Sequence, residues 1–452
     1  MLIKQNIQNQ PKFKEIMAIL NTALSAVDPY MIVKKGIRFK NNSLEIGGQK
    51  IELHKKSKIY LIGIGKAVLP MALAVSEALE KRLESGVLVA KHENPDFSTK
   101  LSSKLRVVYG NHPTPARESV DAAKAVVELL SETQEEDVVI GLISGGGSSL
   151  MTLPNDLIAI EDLQQLTLLL LKCGASIDEI NTIRKHLDSV KGGGLLRFIS
   201  PSYSCNLILS DVIGDDISLI ASGPTCADHS TYEEALSIIL KYQLGKKINK
   251  IIIEHLEKGV RREIQETIRD DDPLLRKTSN QVIGSLRIAA QSARDMTEQI
   301  GFKTNLLSLG LNGEARDVGK YLAKQLIYEQ DSKKSKKKPL CLIAGGETTV
   351  TVKGSGKGGR NQEIALSAAI ALQGQKNCLM VTLATDGEDG PTDAAGGIID
   401  GSTIEKGLSM GLNALNYLNN NDAYTYLEKT GCLLKTGPTG TNVNDLVFMF
   451  AY

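Results

Sequence analysis

Tryptophan is absent from this 452-residue chain and all aromatics together make up 4%. That leaves too few flat side chains for stacking platforms on single-stranded nucleic acid. An excess of one charge sign is also missing, with 53 Lys and Arg against 52 Asp and Glu. The balance gives no electrostatic footprint for nucleic acid or an anionic membrane surface, so any positive potential has to be local. The cysteines (Cys173, Cys205, Cys226, Cys341, Cys378, Cys432) form no C-x-x-C pair. Neither a disulfide framework nor a zinc knuckle is indicated, and they read as small core residues of a reduced, cytoplasmic protein. The start of the chain carries Lys4, Lys12 and Lys14 among several Gln and Asn, where a signal peptide would have a continuous apolar stretch. The longest dense apolar run, Leu166–Leu171, falls far short of the ~18 residues of a membrane span. His54, His92, His112, His186, His229 and His255 lack H-x-x-x-H spacing, so no histidine metal site is expected. His112, in Asn111-His112-Pro113-Thr114-Pro115, reads as structural.

Glycine, at 41 residues, clusters where apolar, β-branched runs stop. Ile59–Ile64 runs into Gly65-Lys66, and Val138–Ile143 into Ser144-Gly145-Gly146-Gly147-Ser148-Ser149. Leu207–Leu209 runs into Ser210-Asp211-Val212, Cys341–Ala344 into Gly345-Gly346-Glu347, and Met380–Ala384 into Thr385-Asp386-Gly387. In an open α/β sheet, ligands sit beyond the carboxyl ends of the strands, where glycine lets backbone N–H groups approach an anion. The chain thus reads as an enzyme for phosphorylated ligands.

The length predicts two domains with a cleft between them. Apolar periodicity places a helix at Phe13–Ala26 and a hairpin at Leu44–Leu53 turning at Gly47-Gly48. From Ile59 the pattern alternates strand and helix, with strands at Val87–Ala90 and Arg106–Tyr109 and helices at Ala67–Lys81, Ala122–Leu130, Ile160–Leu171 and Ile177–Leu187. Such alternation argues a doubly wound parallel sheet covered on both faces. Tyr232–Leu256 and Ser285–Glu298 read as helical crossover, giving domains 1–260 and 280–452, with residues 1–45 assignable to packing on the second. The run from Asp331 to Lys338 reads as a solvated cationic loop. Beyond it, a glycine loop Gly354–Gly359, a helix Asn361–Leu372 and the strand Met380–Ala384 make the second half α/β too.

Several motifs carry chemistry. Gly63-Ile64-Gly65-Lys66-Ala67 begins like a dinucleotide fingerprint, but the third glycine falls at Val68. It is not a Walker A loop either, because Ala67 stands where Ser or Thr would bind magnesium. What remains is Lys66 beside a helix start, where ammonium and helix dipole act on one anion. Ser144-Gly145-Gly146-Gly147-Ser148-Ser149 exposes consecutive N–H groups and three hydroxyls, reading as a triphosphate cradle. Arg360, in Lys357-Gly358-Gly359-Arg360-Asn361-Gln362-Glu363, could stabilise a transferring phosphoryl group or pair with a local carboxylate such as Glu347. Asp211, with Asp215 and Asp216, and Asp386, with Asp389 and Asp393, could hold Mg2+, take an alcohol proton, or cap helices.

These segments, with Ala221-Ser222-Gly223-Pro224-Thr225, Gly345-Gly346-Glu347-Thr348 and the run Thr436–Asp445, resemble the class II glycerate 2-kinase family. Its C-terminal part is the MOFRL domain, and its members were often labelled hydroxypyruvate reductases. The resemblance implies a Rossmann-like N-terminal domain, a smaller α/β MOFRL-type domain, and a site in the cleft for ATP, Mg2+ and D-glycerate. It also implies phosphorylation at the 2-hydroxyl, with Lys66 and Arg360 as cationic catalytic groups and Asp211 and Asp386 as the aspartates. Gly65 and Ser144–Ser149 would bind the nucleotide. Partners would be small molecules, without nucleic acid or membrane, and with a homo-oligomer left open. Ala116, Asp188 and Gly194 depart from the family pattern, where Asp, Ser and Arg are usual. Two other readings remain: an NAD(P)-dependent hydroxypyruvate reductase, using Glu93 on a ribose, and a catalytically silent nucleotide-binding protein.

Overall fold

Strands buried on both faces read as unbroken apolar runs, and those of this chain assemble into two separate sheets. The computed structural model describes residues 13–92, 100–155, 157–331 and 338–452. Glu93 and most of the cationic run before Lys338 lie outside the described residues. The chain divides into two units: Pro29–Ile283, and Gly284–Tyr452 together with the residues up to Asp28.

The first unit opens with a small antiparallel sheet of β1 (Ile37–Lys40), β2 (Ser43–Ile46) and β3 (Gln49–Glu52). Ile46 pairs with Gln49 across Gly47 and Gly48, whose φ values of 54° and 83° suit a two-residue hairpin turn. The larger sheet contains β4 (Ile59–Ile64), β5 (Leu83–Ala90), β6 (Leu105–Tyr109), β7 (Val138–Ser144), β8 (Tyr203–Leu209) and β9 (Thr278–Gly284). Their order is β6-β5-β4-β7-β8-β9, and β4 to β8 run parallel. In chain order this is 3-2-1-4-5-6, the doubly wound arrangement, and its direction reverses between β4 and β7. Every residue of β4 and β7 is buried.

A helical layer with its own core joins this unit, built from Ile160–Lys172, Ile177–His186, Tyr232–Lys241 and Lys250–Val260. Leu166, Leu170, Ile183, Tyr232, Ile252 and Leu256 meet there. The stretch read as helical around Tyr232–Leu256 consists of two helices, because Gln243 takes a positive φ of 52° and Asn249 starts the second by accepting the Ile251 N–H at 3.2 Å.

The second unit holds β10 (Lys303–Leu311), β11 (Leu340–Gly346), β12 (Cys378–Ala384), β13 (Gly396–Asp400), β14 (Leu433–Leu434) and β15 (Asp445–Ala451). They lie in the order β10-β11-β15-β12-β13-β14. β10 and β11 are parallel, while β15 runs antiparallel between β11 and β12. The carboxyl ends of β11 and β12 therefore flank the start of β15. Helix Phe13–Ser25 packs on helix Leu286–Gln299, and helix Arg360–Ala371 lies in the main core with Leu342, Met380 and Met449. Among the described residues no single helix is long and apolar enough to cross a membrane.

Candidate functional site

The reversal between β4 and β7 brings two glycine turns together. Gly65 has φ 132°, and a Cβ there would lie 2.3 Å from Ser144 Oγ and 2.5 Å from its carbonyl oxygen, so only glycine fits. The Lys66 N–H donates to Gly145 O at 3.0 Å and the Ala67 N–H to Ser144 Oγ at 3.0 Å, clasping the turns. Gly146 has φ 81°; its missing Cβ would stand 3.0 Å from Lys66 Cε and 3.2 Å from His112 Cδ2. A Cβ on Gly145 would stand 2.0 Å from Asp211 Oδ2. Bare backbone thus lets the Lys66 stem, the His112 ring and the Asp211 carboxylate approach one loop. Among the described residues, the N–H groups of Gly145, Gly146, Gly147 and Ser148 find no acceptor inside the protein. Four such donors beside an exposed lysine suit an anion.

The loop hydroxyls behave differently from the backbone. Ser144 Oγ accepts from Ala67, Ser148 Oγ lies 2.8 Å from Ser222 Oγ, and Ser149 Oγ donates to Pro113 O at 2.6 Å. The Ser149 proton is therefore spent within the protein, while Ser144 keeps its own. His112 was not selected from the sequence; its nearness to Gly146 depends on a segment that follows β6, three strands from β7 in the sheet.

In the second unit Arg360 opens helix Arg360–Ala371. Its Nε donates to Asp445 Oδ2 at 2.6 Å and its Nη2 to Asp445 Oδ1 at 3.3 Å, while Nη1 reaches Glu347 Oε1 at 2.7 Å. The local pairing with Glu347 is present, and Asp445 joins it. Burial pushes the Asp445 carboxyl up to about 6, with Arg360 as the chief opposing influence. Burial alone would lower the Arg360 pKa, yet Asp445 and Glu347 outweigh it and raise it. Asp445 opens β15 in register with both Gly346 and Ala384. In the sequence Asp445 stands out only as the end of the Thr436–Asp445 run and as an acid directly before an apolar stretch.

The aspartates after β12 have distinct duties. Asp389, 2% exposed, accepts the N–H groups of Asn361 at 3.1 Å and Gln362 at 2.8 Å. It caps the helix that Gly359, lacking a side chain, cannot cap. Burial raises its carboxyl to about 7 against those two bonds. Asp393 takes the Tyr424 hydroxyl at 2.7 Å and Lys435 at 2.9 Å. Asp386 accepts the Glu388 N–H at 3.1 Å. The Gly354–Gly359 loop is pinned by Asn420, Asn421 and Asp422, which accept from the N–H groups of Lys353, Gly354, Ser355 and Lys357.

At the departures from the family pattern, Asp188 forms a buried ion pair with Lys191. A Cβ on Gly194 would lie 2.2 Å from Ser189 O, so this backbone holds no larger residue there. Ser119 Oγ accepts the Ala116 N–H at 3.2 Å at a helix start. Among the described residues, no three His, Cys, Asp or Glu side chains gather as metal ligands.

Residues 15–257 match a family model described as a domain of unknown function (DUF4147), and residues 340–445 match the MOFRL family model. The D-glycerate 2-kinase of Thermotoga maritima is 42% identical over 418 residues, covering 92% of this chain and 96% of the relative. The glycerate 2-kinase of Pyrococcus horikoshii is 40% identical over 432 residues, 95% of each chain. The crystal structure of glycerate kinase from Thermotoga maritima matches with a TM-score of 0.85 at 38% identity, covering 97% of this chain and 99% of that one.

Proposed function

This chain belongs to the glycerate 2-kinase family, and from that premise we propose that it transfers the γ-phosphoryl group of ATP to the 2-hydroxyl of D-glycerate, giving 2-phosphoglycerate and ADP. The observation that carries the reading is Lys66 set against the N–H groups of Gly145–Ser148, which find no acceptor among the described residues, at the reversal point of the parallel sheet. Phosphoryl transfer asks the protein for positioning and charge stabilisation rather than covalent chemistry. Lys66 and the loop donors would neutralise phosphoryl oxygens, with Arg360 as the second cation. The acceptor oxygen attacks phosphorus, its proton passes to Asp211 or Asp386, and ADP leaves.

The Asp211 carboxylate beside Gly145 suits Mg2+, which takes one or two carboxylates and completes its shell with phosphate oxygens and water. When bound, the ion would offset negative charge on the phosphates. Six unpaired thiols support a reduced, cytoplasmic setting as part of the same proposal. A nicotinamide reductase is disfavoured by Val68, which occupies the position of the third glycine in the first βα turn.

The test is a mass-spectrometric and ³¹P assay with MgATP and D-glycerate, beside an NADH and hydroxypyruvate control. 2-Phosphoglycerate with stoichiometric ADP is expected; NADH oxidation without phosphoglycerate would sink the proposal. Lys66→Ala should lower kcat by about 10²- to 10³-fold with the fold retained, and undiminished turnover would remove Lys66 from the chemistry.

A further inference from the structure

Arg184 is a cation that the chemistry above leaves unused. It lies on helix Ile177–His186, half-buried, and among the described residues its guanidinium makes no hydrogen bond or ion pair. Its charged neighbours are all committed elsewhere. Asp188 accepts from Thr152 Oγ1 at 2.6 Å, Leu153 N at 3.2 Å, Val190 N at 3.0 Å and Lys191. Lys191 directs its three donors to Asp188, to Thr152 Oγ1 at 2.6 Å and to Met151 O at 3.2 Å. Lys185 is taken by Asp228 at 3.0 Å. Two cations, Arg184 and Lys191, therefore share the single carboxylate of Asp188, and only Lys191 bonds to it. Burial lowers the Arg184 pKa, with Asp188 opposing. A half-buried guanidinium with open donors is a costly arrangement unless an anion completes it.

The helix is linked to the phosphate-type loop through Ser222. Asn181 Oδ1 accepts from Ser222 Oγ at 3.5 Å, and Ser222 Oγ lies 2.8 Å from Ser148 Oγ. Asn181 and Arg184 are three residues apart on the helix and so neighbour one another on its surface, while Asp188 follows just past the helix end. Met151 and Thr152, which hold Lys191, continue directly from the loop. In sequence Arg184 thus stands between Asn181, linked to Ser148 through Ser222, and Asp188, which is bonded directly to Thr152.

We propose that Arg184 binds the carboxylate of the acid substrate, gripping it bidentately so that the neighbouring hydroxyl is oriented for transfer. The proposal rests on the glycerate 2-kinase reading. A planar two-pronged donor matches a planar carboxylate, whereas the phosphates already have Lys66 and the loop N–H groups.

Arg184→Gln and Arg184→Lys decide it. In Arg184→Gln the KM for D-glycerate should rise by about 10- to 200-fold, the loss of a charged bidentate contact. The KM for ATP and the melting temperature should stay close to the parent's. Arg184→Lys keeps the charge without the fork and should fall between; it carries the test alone if Arg184→Gln fails to fold. An unchanged KM for D-glycerate overturns the proposal, and so does a rise confined to ATP, which would assign Arg184 to the nucleotide. If the parent protein makes no phosphoglycerate, the kinase reading fails separately, and calorimetric titration with D-glycerate then decides. Binding to the parent that weakens in Arg184→Gln supports the proposal; equal binding, or none to the parent, overturns it.

Discussion

Asp445 sits at 4% exposure with both carboxylate oxygens on Arg360. A guanidinium held by two carboxylates, Asp445 and Glu347, has few orientations left, so Asp445 acts as a positioning residue for the proposed second cation. Its carboxyl, raised by burial to about 6, takes up a proton as pH falls through that value, and the charge-assisted pair is lost. kcat/KM should therefore decline below about pH 6. Asp445→Asn should lower kcat/KM by about 10- to 100-fold at pH 8, the scale of one charged hydrogen-bonded contact, and flatten the acid limb. A variant profile superimposable on the parent's would exclude this role. Arg360 was recognisable in the sequence from its place after a glycine loop; Asp445 was not, because 85 residues separate it from its partner.

Helix Arg360–Ala371 shows how an element can be read while its anchorage is hidden. Periodicity announced the helix from Asn361, yet the acceptor for its first N–H groups is Asp389, which comes from the loop after β12. Burial lifts the Asp389 pKa to about 7, above the ~3.9 of an unfolded chain. Because the folded state then holds the proton more tightly, stability should fall as pH rises from about 4 to about 7 and level off beyond. Urea unfolding at pH 5 and pH 8 should show a smaller loss in Asp389→Asn than in the parent. Asp389→Ala, which removes the cap, should cost about 1–2 kcal/mol at either pH. The interruption at Gln243 was equally hidden, since the apolar pattern of Tyr232–Leu256 runs on across the break.

For the whole molecule, the relevant property is the strand order of the first unit. The parallel pairing of β4 with β7 in this order sets the turns that follow them side by side, so anion binding is a property of the sheet rather than of either turn. Ligand that binds the folded protein alone raises its stability by mass action: ATP at a hundredfold excess over its Kd should add about 2.7 kcal/mol. Thermal scans with MgATP should show the upward shift in melting temperature, and Lys66→Ala should reduce it at the same nucleotide concentration. An equal shift in both proteins would place the nucleotide away from Lys66.

The sequence by itself determined buried strands such as Ile59–Ile64 and Val138–Ile143 and where glycine must stand, because these follow from apolar runs and from backbone angles that a Cβ forbids. Gly65, Gly146 and the hairpin at Gly47-Gly48 are local facts of that kind. The tertiary structure alone decided which charges meet. It set Asp445 on Arg360, Asp389 under a helix start, the His112 ring beside Gly146, and Arg184 among neighbours whose hydrogen bonds are already made. The physical reason is that such pairings join residues distant in the chain through sheet order and register, which local periodicity does not encode.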